Sequence, residues 1–144
     1  MSHATKHIDT HMDSTLDSVD SSEMAILGIA ERMGFDDDER YRLGMAIREA
    51  MVNAVVHGNK YSTHKKVHLV VWEEAGGLRI VVADEGNGFE LARVPDPLED
   101  QNLLKESGRG ILLMQAFVDE LMVRRRSPAG TEVTLVKHLA PPGA

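Results

Sequence analysis

The stretch 40–58, RYRLGMAIREAMVNAVVHG, decides how the rest of the chain is read. At about 3.6 residues per turn, Leu43, Ala46, Ile47, Ala50 and Ala54 share one apolar face. Met45, Val52, Val55 and Val56 cover much of the other side. A helix apolar nearly all round belongs in a protein core. Yet Glu49 and Asn53 stand one turn apart on it, with His57 one turn further on. A carboxylate and an amide on a buried helix require partners, because unpaired polar groups in an interior are costly. Either protein groups satisfy them, or the helix lines a cleft that holds a polar ligand. For this helix by itself a structural polar cluster is the simpler account, and the segments downstream reverse that preference.

The surrounding composition is that of an ordinary globular domain. The 144 residues are 42% apolar and 27% charged, enough for one domain with a substantial core. Aromatic residues are only 4%, so Leu, Ile, Val, Met and Ala must fill that core. With 16 basic against 23 acidic residues the net charge is −7, a poor footprint for nucleic acid. The absence of cysteine excludes disulfides and thiol chemistry. No apolar run approaches the ~18 residues of a membrane span, and no signal-peptide pattern opens the chain. The expectation is a soluble, intracellular domain with no direct nucleic-acid or membrane partner.

Working outward, residues 1–15 are set apart as an N-terminal tail, disordered to about residue 6, with 8–14 a candidate edge strand. His3, His7 and His11 recur every four residues, but no helical pattern surrounds them, and a solvated tail or strand explains them better than a metal site. A first helix is expected over 18–33, capped from Asp20, Ser21 or Ser22 and stopped by Gly34. Asp36, Asp37, Asp38 and Glu39 suit the positive N-terminal end of the second helix, which runs to Gly58. Alternation over 67–72 and 78–83, with Gly76-Gly77 at the turn, reads as a hairpin. The stretch 84–107, rich in Gly, Pro, Asp and Asn, is too long for a plain connection and reads as a binding loop or lid. A third helix is expected over 110–118, and a last hairpin over 121–126 and 131–138. Arg124, Arg125 and Arg126 read as a solvated strand end. Residues 16–140 thus form the expected domain and 141–144 a C-terminal tail.

Three clusters carry chemistry, and their order matters more than any one. Asn53 offers a neutral oxygen to a magnesium ion whose other ligands are phosphate and water. Glu49, one turn away, can deprotonate an attacking hydroxyl. In Asp84-Glu85-Gly86-Asn87-Gly88, Asp84 is acceptor-only when ionised, so it matches the exocyclic amine of adenine and rejects the carbonyl of guanine. Gly86 and Gly88 let the backbone approach a flat base. In Gly108-Arg109-Gly110, the glycines at a helix start present N–H groups and a positive dipole end to phosphates, and Arg109 adds a cation. Each cluster alone is commonplace; together they point to a nucleotide. No GxxxxGK[ST] loop and no protein-kinase catalytic loop is present, so ATP would be held differently.

The segments AIREAMVNAVVHGN, VVADEGNGFE, SGRGILLMQAFVDELMV and SPAGTEVTLVKHL resemble the ATPase superfamily of DNA gyrase, heat-shock chaperone, histidine kinase and mismatch-repair proteins. Within it the chain is most similar to the bacterial anti-sigma factor serine/threonine kinases. The resemblance implies a Bergerat-type fold: an α/β two-layer sandwich, with helices on one face of a mixed, mostly antiparallel sheet. It implies Mg2+ and ATP, with Asn53 on the metal and Asp84 on adenine. Gly86, Gly88, Gly108 and Gly110 would surround base and phosphates, and Thr131 would lie near the adenine. Glu49 matches the residue taken as catalytic base, where histidine kinases usually carry His. The implied protein is a cytoplasmic serine kinase, usually a homodimer, that phosphorylates an anti-anti-sigma protein and sequesters a sigma factor. Two positions depart from relatives: Glu106 stands where some carry Arg, and Arg109 where many have an apolar residue, so Arg109 or Lys105 would take over phosphate contacts. A nucleotide-gated binding module without kinase activity and a detached histidine-kinase catalytic domain are the rival readings.

Overall fold

Val67, Leu69 and Val71 are buried while His68, Val70 and Trp72 are half-buried, the period of two expected of a strand with one covered face. The computed structural model describes residues 4–74, 76–86 and 109–139. Its elements are β1 (Thr5–Asp13), α1 (Leu16–Met33), α2 (Asp37–Val52) with a π-helical turn (Asn53–Gly58), β2 (Lys66–Glu74), β3 (Gly77–Ala83), α3 (Arg109–Phe117), β4 (Glu120–Arg125) and β5 (Thr131–His138).

The strands form one sheet in the order β1-β2-β3-β5-β4, and all four pairings are antiparallel. Register carries the apolar alternation across it. Leu69 and Val71 stand opposite Val82 and Ile80, which stand opposite Val133 and Leu135 on the next strand. These residues form one buried cluster with Ile26 of α1, Ile47 of α2 and Met114 of α3. Val70 and Val81, on the opposite sheet face, are outside that cluster. The architecture is therefore an α/β sandwich of helices against one sheet face. Because β5 lies between β3 and β4, the end of β3 is brought beside the start of β5, with Ala83 opposite Glu132.

The helices largely follow their expected faces. Leu43, Ala46, Ile47 and Ala50 are buried on α2, but Tyr41, Arg42 and Arg48 are exposed. Arg48 reaches Asp20 and Glu23 on α1 at 2.9 and 2.7 Å. α1 begins earlier than expected, capped by Thr15, whose side chain accepts from Ser18 N at 3.2 Å. The serines proposed as caps are inside the helix, where Ser21 Oγ and Ser22 Oγ donate back to the carbonyls of Asp17 and Val19. Gly34 stops α1 with φ 102°, as expected of a left-handed C-cap.

Two local features differ from the sequence reading. β1 starts at Thr5, so residues assigned to the tail belong to the sheet. Polar cross-strand pairs hold it there: Lys6 lies over the Trp72 ring at 5.4 Å, and His7 and His68 bond Glu73 and Asp9 at 2.7 Å. His11 stacks on His68 with ring centroids 4.2 Å apart. These histidines are sheet contacts, and among the described residues no group of three side chains could hold a metal. The last turn of the second helix is π-helical, with Asn59 N donating to Ala54 O at 2.8 Å. That five-residue bond widens the turn and takes His57 off the line of Glu49 and Asn53.

Candidate functional site

Two of the expected polar clusters meet where α2 faces α3. A Cβ placed on Gly110 would stand 2.7 Å from Glu49 Oε2 and 3.3 Å from Asn53 Nδ2, so both side chains converge on the Cα of that glycine. Glu49 and Asn53 are half-buried, and no described side chain hydrogen-bonds either. The first of the two accounts of this polar pair, satisfaction by other protein groups, therefore finds no partner among the described residues.

Beside them is a cavity of about 20 Å3, lined by Asn53, Asp84 and Thr131 together with Ala50, Ile111 and Met114. Asp84 is 5% exposed and follows the last residue of β3. Its Oδ1 accepts from Gly86 N at 2.9 Å and Thr131 N at 3.1 Å. Its own N donates to Thr131 O at 2.9 Å, tying it to β5. No described group donates to Oδ2, which is left as an unpaired acceptor. Burial pushes the Asp84 carboxyl above the usual range, opposed by those two backbone N–H groups and by the Arg126 and Lys65 charges. Thr131 is 6% exposed, and its Oγ1 is a buried polar atom with no hydrogen-bond partner. An orphaned hydroxyl and a free carboxylate oxygen on one cavity are what a ligand bearing polar hydrogens would complete.

Glycines make this approach physically feasible. A Cβ at Gly58 would overlap the Asp84 carboxylate, and one at Gly86 would overlap the Gly58 carbonyl. Gly130, with φ 115°, presses against the Asp84 carbonyl in the same way. Gly86 therefore has a packing reason of its own. Gly88, Gly108 and the lid lie outside the described residues, as does the side chain of Arg109, whose backbone opens α3.

Sequence reasoning missed two residues here. Arg126, read as a solvated strand end, donates from Nη1 to Asp84 O at 2.8 Å. Asn59, just past the expected end of the second helix, is 1% exposed and accepts from Glu85 N at 2.8 Å. Both contacts span long sequence separations, so no local pattern signals them.

Fold and site together define a class: an α/β sandwich with a small, largely apolar cavity between the helical layer and the ends of β3 and β5, edged by the polar groups of Asn53, Asp84 and Thr131. The chain belongs to the histidine kinase-like ATPase domain family, whose model matches residues 12–137. It is similar to the serine-protein kinase RsbW of Bacillus subtilis, at 33% identity over 124 residues, covering 81% of this chain and 75% of the relative. It is also similar to the anti-sigma F factor of Geobacillus kaustophilus, at 33% identity over 105 residues and 72% of each protein. Among solved structures it resembles a chain of the SiaB–SiaC complex from Pseudomonas aeruginosa. The TM-score there is 0.64 with 15% identity, over 91% of this chain and 89% of that one, a likeness of fold.

Proposed function

We propose that this protein is an ATP-dependent serine kinase and anti-sigma factor of a partner-switching pathway. It would act in the cytoplasm as a homodimer, phosphorylating a serine of an anti-anti-sigma protein and sequestering a sigma factor. The observation that carries the reading is the convergence of Glu49 and Asn53 on Gly110, next to the cavity bearing Asp84 and Thr131. The names of the relatives, a serine-protein kinase and an anti-sigma factor, support the same activity.

The residues present fit Mg-ATP in their chemistry. The free Oδ2 of Asp84 would accept from the adenine amine, and the orphaned Thr131 hydroxyl would supply a second polar contact. Asn53 would hold the magnesium ion through its amide oxygen. The bound nucleotide supplies the transferable phosphoryl group and the metal neutralises its charge. Glu49, against Gly110 of α3, would orient the partner's serine hydroxyl and take its proton. The cavity is about the size of one water. Base entry therefore displaces lining side chains, of which Met114 is the most adaptable.

The test is phosphate transfer from labelled ATP to candidate anti-anti-sigma proteins by the parent and by Glu49→Gln. Gln keeps the shape and removes the basic oxygens, so transfer should fall by ~10²–10⁴ with ATP affinity within a few-fold. Unchanged transfer would remove Glu49 from the mechanism. No transfer by the parent to any such partner would leave an ATP-gated binding module.

A further inference from the structure

Asn59 sits just beyond the π turn, on the helix that carries Glu49 and Asn53, and is almost fully buried. A buried primary amide needs partners for two donors and an acceptor. Here they come from three separate parts of the chain. Nδ2 donates to Ser14 Oγ at 2.9 Å and to Lys66 O at 3.0 Å, while Oδ1 accepts from Glu85 N at 2.8 Å. The amide orientation is forced, because Lys66 O can only accept and Glu85 N can only donate. Ser14 Oγ donates its own hydrogen bond to Lys65 O at 2.6 Å, which leaves its lone pairs for Asn59.

The Glu85 N–H belongs to the same peptide group as the Asp84 carbonyl. Asn59 holds the N–H end, and Arg126 Nη1 holds the carbonyl end at 2.8 Å. In a trans peptide these two ends point in opposite directions across a rigid plane. Two side chains therefore grip one plane from both sides and fix its rotation. That rotation sets the backbone of Asp84, hence the direction in which its carboxylate leaves the strand. It also sets where Gly86 N arrives to bond Oδ1 at 2.9 Å.

We propose that Asn59 and Arg126 are positioning residues for base selection: by clamping the peptide between Asp84 and Glu85 they aim the carboxylate that discriminates the purine. The proposal rests on the reading that Asp84 Oδ2 accepts from the adenine amine. Neither residue touches the nucleotide in this account, so their effect is confined to base selectivity. Arg126 Nη1 is committed to the carbonyl, and Asn59 is committed to its three partners.

The experiment measures ATP and GTP affinities of the full chain by competition against a fluorescent ATP analogue, with thermal unfolding of each sample. The variants are Asn59→Ala, Arg126→Met, which keeps the apolar stem, and Ser14→Ala as the control. Asn59→Ala and Arg126→Met should each weaken ATP binding about fivefold to tenfold, the worth of one hydrogen bond, with GTP within about twofold. Ser14→Ala removes a buried bond of the same network but leaves Glu85 N on Asn59. It should lower the unfolding temperature and leave the ATP-to-GTP ratio within about twofold of the parent. An unchanged ratio in Asn59→Ala and Arg126→Met overturns the proposal. So does a Ser14→Ala ratio that falls as far as that of Asn59→Ala, since that would mean general loosening. Should Asn59→Ala fail to fold, Arg126→Met, at the end of an exposed strand, decides the matter. A parent with no preference for ATP overturns the base reading itself and this proposal with it. That failure is visible before any variant is measured, and so is distinct from the others.

Discussion

Asp84→Asn tests the base assignment most directly, and the structure says which way the new side chain must lie. Oδ1 of Asp84 accepts from two backbone N–H groups, Gly86 at 2.9 Å and Thr131 at 3.1 Å. Those donors need an acceptor, so the carbonyl oxygen of the new amide takes that position. Its NH2 group then occupies the place of Oδ2, the oxygen assigned to the adenine amine. A charged acceptor becomes a donor facing a donor. Losing a hydrogen bond to a charged group costs about 1.5–3 kcal/mol, roughly a tenfold to 150-fold loss of ATP affinity. GTP, whose carbonyl stands where adenine has its amine, should bind more tightly to the variant than to the parent. The empty protein should not be weakened in parallel. Burial raises the Asp84 pKa, so its charge opposes folding at neutral pH, and the amide removes that charge while keeping both backbone bonds. Calorimetric titration with both nucleotides, beside thermal unfolding of the same samples, reads all three expectations. Unchanged ATP affinity, or equal losses for ATP and GTP, would refute the assignment.

The remaining predictions follow from the same geometry. With a folded pKa raised above its unfolded value, Asp84 favours the empty fold most below the unfolded value, and that contribution is lost as pH rises through the folded one. Selectivity runs the other way: the ionised form discriminates, so the ATP-to-GTP ratio should decline as pH falls, starting above the ordinary carboxylate range. Taking the ratio cancels the phosphate titration common to both nucleotides; a flat ratio would exclude Asp84 as the discriminating group. Gly58→Ala places a Cβ into the Asp84 carboxylate and should abolish ATP binding at about 1–3 kcal/mol of stability. Gly28→Ala on α1 meets only Arg32 Nη1 at 3.6 Å and should stabilise by up to ~1 kcal/mol with binding intact, both read by chemical denaturation and titration. Gly110→Ala crowds the flexible end of Glu49 at 2.7 Å, so phosphate transfer should fall more than ATP affinity; a parallel loss would place the effect on nucleotide binding alone.

What could be read from the chain depended on whether a local period carried it. The buried face of α2, both hairpins and α3 follow from apolar spacing, and Asp84 was singled out as an acceptor-only group in the Asp-Glu-Gly-Asn-Gly cluster. The start of β1 was missed because its strand is stabilised by Lys6 on Trp72 and by histidine pairs, with little apolar alternation to see. The π turn was missed because an α-helix and a π turn draw on the same apolar pattern over six residues. Serine caps were misplaced because a serine can bond back into its own helix as readily as it caps one. Asn59 and Arg126 act on residues 26 and 42 positions away, and only the folded chain brings them together.

The polar groups of this cleft divide by how the fold treats them, and the division matches their proposed tasks. Asp84 is clamped: two donors on one oxygen, a gripped peptide behind it and the Cα of Gly58 against the carboxylate. Selecting a base needs a rigid acceptor, because discrimination by one hydrogen bond is lost if the acceptor can turn away. Among the described residues Glu49 and Asn53 have no hydrogen-bonding partner, on a helix whose other side is core. A group that must take a proton from one partner or bind a metal with its phosphates needs its lone pairs free. Neither residue is required by the packing of α2, since Leu43, Ile47 and Met51 supply its buried contacts. In the proposed function a filled cleft would supply the partners that the described residues do not.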